Sequence, residues 1–297
     1  MNSKEGSVLI VSLWMLSLFS VFMTNLSFQG IQHIDLMKRE LRGLEAKVDF
    51  DSALGLVSQA ILTDPKPHED SKEDSWYGTL SLPEPWKNKM EVTVGDEESK
   101  INLNYASEEL LTAFLRVFEQ EVTGLRTERK DLVKQILKRR SKERIQSFEE
   151  LFLLEDVETE DLFKLEPYLT VYPDSFQINV NTAEPMILKS VIESVSEDHL
   201  AGDELFRKIT EYRAETKGIQ AAPFQSDDLS PGAFQRKLKL STSLSMIALL
   251  NRFLPLMTTD SRTYHLKIKT VSGREVEATL KDKAEGLGTL VLSWNEA

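Results

Sequence analysis

Between the pair Lys4 and Glu5 and the next charged residue, Asp35, the chain carries no Asp, Glu, Lys or Arg. Within that gap the stretch from Ser7 to Phe28 is mostly apolar, with Val8, Leu9, Ile10, Val11, Leu13, Trp14, Met15, Leu16, Leu18, Phe19, Val21, Phe22, Met23 and Leu26. Twenty-two residues of helix reach about 33 Å at about 1.5 Å each, enough to cross the hydrocarbon core of a bilayer. No proline interrupts the run. A segment of this kind dictates a membrane-related start to the chain, whatever the remainder folds into.

Three readings of the segment compete. A removed secretory signal would have a basic leader, a shorter apolar core and a small-residue cleavage site after it, and no A-x-A-like site follows here. A plain signal anchor fits. So does a prepilin leader, cut before the apolar run so that the helix stays on the mature protein; Gly6 at the start of the run is its cue.

The apolar pattern continues past the membrane length. Ile31, Ile34, Leu41, Leu44 and Val48 recur at helical spacing, Ala46, Ala53 and Ala60 repeat every seventh residue, and Lys38, Arg39, Glu45, Lys47 and Asp49 lie among them. This predicts an amphipathic helix continuing to Leu62, ended by Thr63, Asp64, Pro65 and Pro67. One rod from about Ser7 to Leu62 is favoured over two helices bent near Gly30, because one interior glycine costs only about 1 kcal/mol.

Residues 64–75 are polar and read as a loop. Met90, Val92 and Val94 alternate with polar residues, Gly95 and Asp96 signal a turn, and Ile101 and Leu103 alternate again, so 90–104 reads as a hairpin. From Ser107 to about Leu256 the stripes have helical period. After that Tyr264, Leu266 and Ile268, then Val276, Ala278 and Leu280, then Leu290, Leu292 and Trp294 return to the period of a strand. The order long helix, strands, helical block, strands predicts an α+β fold, an antiparallel sheet with a large all-α domain inserted between its strands. The expected divisions are a leader at 1–6, a transmembrane part at 7–28, a further helical part at 29–62, β-domain pieces at 63–104 and 259–297, and the helical insert at 105–258.

The chain holds an internal repeat. Ile101, Asn102, Leu103, Asn104 and Ala106 match Ile178, Asn179, Val180, Asn181 and Ala183 in all but the third place. Each run precedes a helical stripe. Asn104 or Ser107, and Asn181 or Thr182, are therefore expected to cap the next helix, with Pro185 in its first turn. Metal or ligand binding by these asparagines is the functional alternative, and capping alone explains them.

Taken in order, Gly6 and Ser7 before an apolar run, Asp96, Glu97 and Glu98 ahead of the first Asn run, Phe148 to Leu151 followed by Pro167 to Val171, the second Asn run, and the final strand Leu292 to Glu296 resemble the type II secretion minor pseudopilin K family over nearly the whole chain. That resemblance implies a pilin-like fold with a helical insert, cleavage after Gly6 by prepilin peptidase and methylation of the new amino terminus at Ser7. It implies a bacterial inner-membrane anchor, a periplasmic soluble domain, and the minor pseudopilins I and J as partners along the stretch from Ile31 to Ala60, with Ile31, Ile34, Leu41, Leu44 and Val48 as the assembly residues. Secretin or secreted substrates are further partners it suggests. Pilin-class chains carry Glu at the fifth mature position; counted from Ser7 that position is Val11, and family K characteristically lacks the Glu. A subunit with nothing above it gains nothing from a carboxylate that is costly in a membrane, which points to a tip position and to initiation of assembly. The family pattern often has Gly after the Phe148–Leu151 segment, where this chain has Glu155, Asp156 and Val157.

Net charge is −12 and there is no cysteine, which argues against a general nucleic-acid binder and excludes disulfides and cysteine-held zinc. The one basic run, 126–144, has nine Lys or Arg against three acids and reads as a solvated helix face. The rival it supports is a membrane-anchored DNA-binding protein of a competence or type IV pilus-like machine, built on helix-hairpin-helix-like units, although the glycines of such hairpins are missing. Asp96, Glu97 and Glu98 are the candidate ligands for a hard cation, calcium being the one the family suggests; Glu155 with Asp156 and Asp227 with Asp228 are the other acidic clusters. A solvated acidic loop is the preferred reading of each. His33, His68, His199 and His265 form no zinc pair, His265 reads as an exposed strand residue, and no catalytic motif is present, so the chain reads as non-enzymatic without a cofactor.

Overall fold

The computed structural model describes residues 3–66, 68–122, 129–154, 157–216, 223–271, 273–282 and 289–296, and of 3–9, 129–130, 216, 282, 289–290 and 292–296 the backbone only. The chain divides into two compact units, residues 1–54 and 55–297.

Helix α1 runs Ser3–Leu62 and is continuous through Gly30. Its apolar residues from Ile10 to Phe28 are exposed, and it is the one helix among the described residues long and apolar enough to cross a membrane. Further along, Ala46, Phe50, Ala53, Val57 and Ile61 are buried, while Ile31, Ile34, Leu41, Leu44 and Val48 are exposed. The seven-residue spacing of Ala46 and Ala53 thus marks buried positions of the helix, and Ile31, Ile34, Leu41, Leu44 and Val48 mark exposed ones.

In the second unit a five-stranded antiparallel sheet has the order β1-β2-β7-β8-β9, where β1 is Gly78–Thr79, β2 Met90–Asp96, β7 Thr263–Thr270, β8 Glu275–Asp282 and β9 Thr289–Glu296. The period-2 pattern is obeyed: Met90, Val92 and Val94 are buried, as are Tyr264, Leu266 and Ile268, and Val276, Ala278 and Leu280. Val92 lies opposite Ile268 and Ile268 opposite Val276, so one face of the sheet is a continuous aliphatic layer. The turn between β7 and β8 passes through Gly273 at φ +83°, a conformation that costs a glycine nothing.

Everything between β2 and β7 is the insert. It contains α2 Glu108–Glu121, α3 Arg129–Lys142, α4 Thr159–Leu165, α5 Pro185–Val195, α6 His199–Thr216, α7 Pro231–Leu238 and α8 Leu244–Phe253. Two short parallel ladders tie it together: β3 Ile101–Asn102 with β4 Leu169–Thr170, and β5 Ile178–Asn179 with β6 Met257–Thr258. One core of buried residues runs from Ile101 to Met257 and includes Phe114, Phe118, Phe224, Phe234 and Phe253.

The hairpin expected at 90–104 does not form. Gly95 and Asp96 stay in β2, and Asp96 caps a 3-10 turn at Glu97–Ser99 by accepting from the Glu98 N–H. That turn redirects the chain, so Ile101 pairs with Leu169 of the insert instead of folding back on β2. Ile101 and Leu103 accordingly belong to the helical core.

Candidate functional site

Of the residues singled out on the first helix, Gly6 and Ser7 are helical and their side chains lie outside the described residues. Val11 is exposed, as are Ile31, Ile34, Leu41, Leu44 and Val48, each more than half accessible. Five aliphatic side chains at helical spacing in contact with solvent form an apolar stripe, and such a stripe is stable only against lipid or another apolar surface.

The acidic run is the opposite of a solvated loop. Asp96, Glu97 and Glu98 are all buried, and so is Asp70, from the segment read as an exposed polar loop. Asp96 accepts from the Glu98 N–H at 2.8 Å and from the Thr182 hydroxyl. Glu98 accepts from the Thr263 N–H at 3.0 Å. Asp70 accepts from the Ser261 N–H at 2.5 Å, and its carbonyl accepts from the Asn179 amide at 3.3 Å. Sheet, insert and the 64–75 segment therefore meet at this knot. The backbone donors that burial would otherwise strand explain why carboxylates were placed here.

Burial pushes all three of these carboxyls up. Asp70 rises to about 8, with the Ser261 N–H opposing and Asp96 reinforcing the rise. Asp96 is raised by burial despite its Thr182 and Ser261 hydrogen bonds, and Glu98 well above its usual range by burial and by Asp96 beside it. The two carboxyls act on each other, Asp96 raising Glu98 and Glu98 lowering Asp96. Glu97 behaves differently: burial pushes it up, but Lys100, His265 and Thr170 outweigh that and leave its carboxyl below the usual range. His265 is half-buried in β7 rather than exposed, and burial pushes its imidazole down.

A neighbouring set was not singled out from the sequence. Oxygens of Asp64, Asp70 and Asp74 lie within 4.8 Å of one another, hard donors of the kind calcium takes. Asp64 also accepts from the Trp76 indole at 2.9 Å, and Asp74 from the Ser71 N–H at 2.5 Å. The sequence signal was the density of Asp and Glu between Asp64 and Asp74; what hid it was the assumption that such a stretch is solvated.

The paired asparagines are structural, and only one expected cap forms. Ser107 caps α2 by accepting from Leu110 N–H at 3.1 Å. Asn104, Asn181 and Thr182 do not cap; α5 starts at Pro185 with Glu184 before it and no side-chain cap. Instead Asn104 and Asn181 each bridge a later loop, at Ile145 and Phe224. The basic run is also absorbed in part: Arg139 pairs with Glu150, and Arg140 donates to the Leu103 carbonyl at 3.0 Å and to that of Ala106. Asp228 pairs with Lys237, while Glu155 and Asp156 lie outside the described residues.

No family model and no curated protein matches the chain. Among solved structures it is similar to a chain in the crystal structure of the GspK-GspI-GspJ complex from the enterotoxigenic Escherichia coli type 2 secretion system. The match covers 90% of this chain and 99% of that one, with a TM-score of 0.61 and 12% identity. At that identity the likeness is one of fold: a long apolar N-terminal helix, an antiparallel sheet and a many-helix insert, α+β throughout.

Proposed function

We propose that this chain is a minor pseudopilin of the K type, a structural, non-enzymatic subunit at the tip of a type II secretion pseudopilus. The observation that carries the reading is the shared fold, which extends over 90% of this chain and 99% of the other. Helix α1 anchors the protein in the inner membrane through Ser7 to Phe28, and the sheet and insert stand in the periplasm. Prepilin peptidase removes residues 1–6, and Ser7 becomes the methylated amino terminus. Val11, fifth from that terminus, brings no carboxylate into the membrane, as suits a subunit with none above it.

The exposed stripe of Ile31, Ile34, Leu41, Leu44 and Val48 is then the surface that receives the minor pseudopilins I and J. Helix-on-helix burial of such side chains contributes about 1.5–3 kcal/mol each. A charge at the centre of the stripe must be desolvated on assembly, so Ile34→Asp with Leu41→Asp abolishes co-purification with the two partners. Unchanged co-purification of the double variant would sink this assignment of the stripe. In this reading the soluble domain caps the assembly and meets the secretin or cargo.

A further inference from the structure

The insert is a duplication, and its two halves are wired alike. Gln146 N–H donates to Glu150 at 2.8 Å in the first half, and Gln225 N–H to Asp228 at 2.8 Å in the second. Both acids are ion-paired, though from opposite sides in the chain, Glu150 with Arg139 of the helix before it and Asp228 with Lys237 of the helix after it. Leu151 follows the acid in one half and Leu229 in the other, and each half closes on the same step, Pro167 to Thr170 and Pro255 to Thr258, into a parallel ladder. Positions at which two halves with common wiring differ are positions the scaffold leaves free.

The largest such difference is apolar and exposed. Phe152 and Leu153 follow Leu151, where Ser230 and Pro231 follow Leu229. Phe163 stands four residues before its proline, and Asn251 stands at the same place in the second half. Leu153 is 83% exposed and Phe163 59%, with the rings of Phe152 and Phe163 5.1 Å apart. Phe152 is partly buried against the core, but nothing in the shared wiring requires Leu153 and Phe163 in water, where their exposure is unfavourable. In the same stretch Glu149, Glu158, Glu160 and Glu166 are exposed, against the single base Lys164. Glu166 senses that field: burial pushes its carboxyl up, and Glu277 and Glu149 add to the rise.

We propose that the surface formed by Phe152 and Phe163, with Leu153 beside it in sequence, is a docking surface for a segment of a partner polypeptide that is apolar at its centre and rich in Lys and Arg around it. The apolar cluster supplies the area that water is expelled from, and the surrounding carboxylates select positive charge. The same carboxylates repel phosphate, which turns away nucleic acid and anionic lipid. The surface serves this role whether or not the chain belongs to a pseudopilus.

The test uses the full chain in detergent and two labelled amphipathic peptides of equal length, one of Lys and Leu and one of Glu and Leu. A photoreactive phenylalanine is placed at position 163 and, in a separate preparation, at 251. Irradiation should join the Lys peptide to position 163 and at least tenfold less to 251, and the Glu peptide to neither. Leu153→Ser should weaken binding of the Lys peptide at least tenfold, and Glu149→Gln with Glu160→Gln should remove its salt dependence, each variant retaining the wild-type urea transition. Equal adducts at 163 and 251, equal capture of the Glu peptide, or an adduct at 163 with a second copy of the chain in place of the peptide would overturn the proposal.

Discussion

Asn181 makes in the second half of the insert the bonds that Asn104 makes in the first. The Asn104 amide donates to the Ile145 carbonyl at 2.9 Å while its oxygen accepts from the Ile145 N–H at 2.9 Å, and Asn181 does both with Phe224 at the same two distances. Each asparagine N–H is in turn held at 2.9 Å by the side chain two residues earlier, Asn102 or Asn179. A short side chain with one donor and one acceptor thus satisfies both backbone groups of a residue on a distant loop.

Removing that side chain strands an N–H and a C=O away from water. Asn181→Ala, at a buried site, should cost about 2–4 kcal/mol in a urea unfolding titration, since each buried unsatisfied group costs about 1–3 kcal/mol. Asn104→Ala is less buried and should cost less. Asp at either position keeps the acceptor, loses the donor and adds a charge, so it should rescue neither. A loss below about 0.5 kcal/mol for Asn181→Ala would show that the bridge does not hold the loop.

The buried carboxyls give the soluble part a defined pH dependence. Asp70, Asp96 and Glu98 have raised values in the folded state, so the folded chain holds protons that the unfolded chain releases. Stability is therefore fully present below the unfolded value near 4 and falls as pH rises toward the folded one, about 8 for Asp70. Release of one proton over that window costs about 1.4 kcal/mol per pH unit. Thermal midpoints should drop between pH 5 and pH 8, and Asp70→Asn should flatten the dependence. A midpoint that rises with pH across this window would contradict the upward push that burial gives these carboxyls.

Arg140 is the member of the basic run with a fixed task. Its guanidinium holds the Leu103 and Ala106 carbonyls at the entry to α2, so Arg140→Ala should cost about 1–3 kcal/mol. Lys134→Ala, at an exposed site of the same helix, should fall within about 0.5 kcal/mol of wild type. Chemical unfolding of the two variants separates a structural arginine from a patch in which all the cations are equivalent.

The sequence carries the outline of the fold because period and punctuation carry it. The α1 stop at Leu62, the alternation in β2, β7 and β8, and the first-turn Pro185 are local signals that tertiary contacts did not override. Pairing is not local. Nothing near Ile101 announces that its partner is Leu169, and a Gly-Asp step that suits a tight turn equally suits a strand end capped by Asp96. The acidic knot was hidden for the same reason. Asp70 and Glu98 look solvated until the chain brings Ser261 and Thr263 N–H groups to them. The first-helix stripe was legible as apolar spacing, and its exposure is what the structure adds.

The mass and N-terminal sequence of the protein purified from bacterial membranes test the pseudopilin assignment most directly. A chain that begins at N-methylated Ser7 is the predicted result, with Gly6 and the five residues before it removed. A chain that retains Met1 or Asn2 in a strain with active prepilin peptidase would contradict it and leave α1 as a plain membrane anchor.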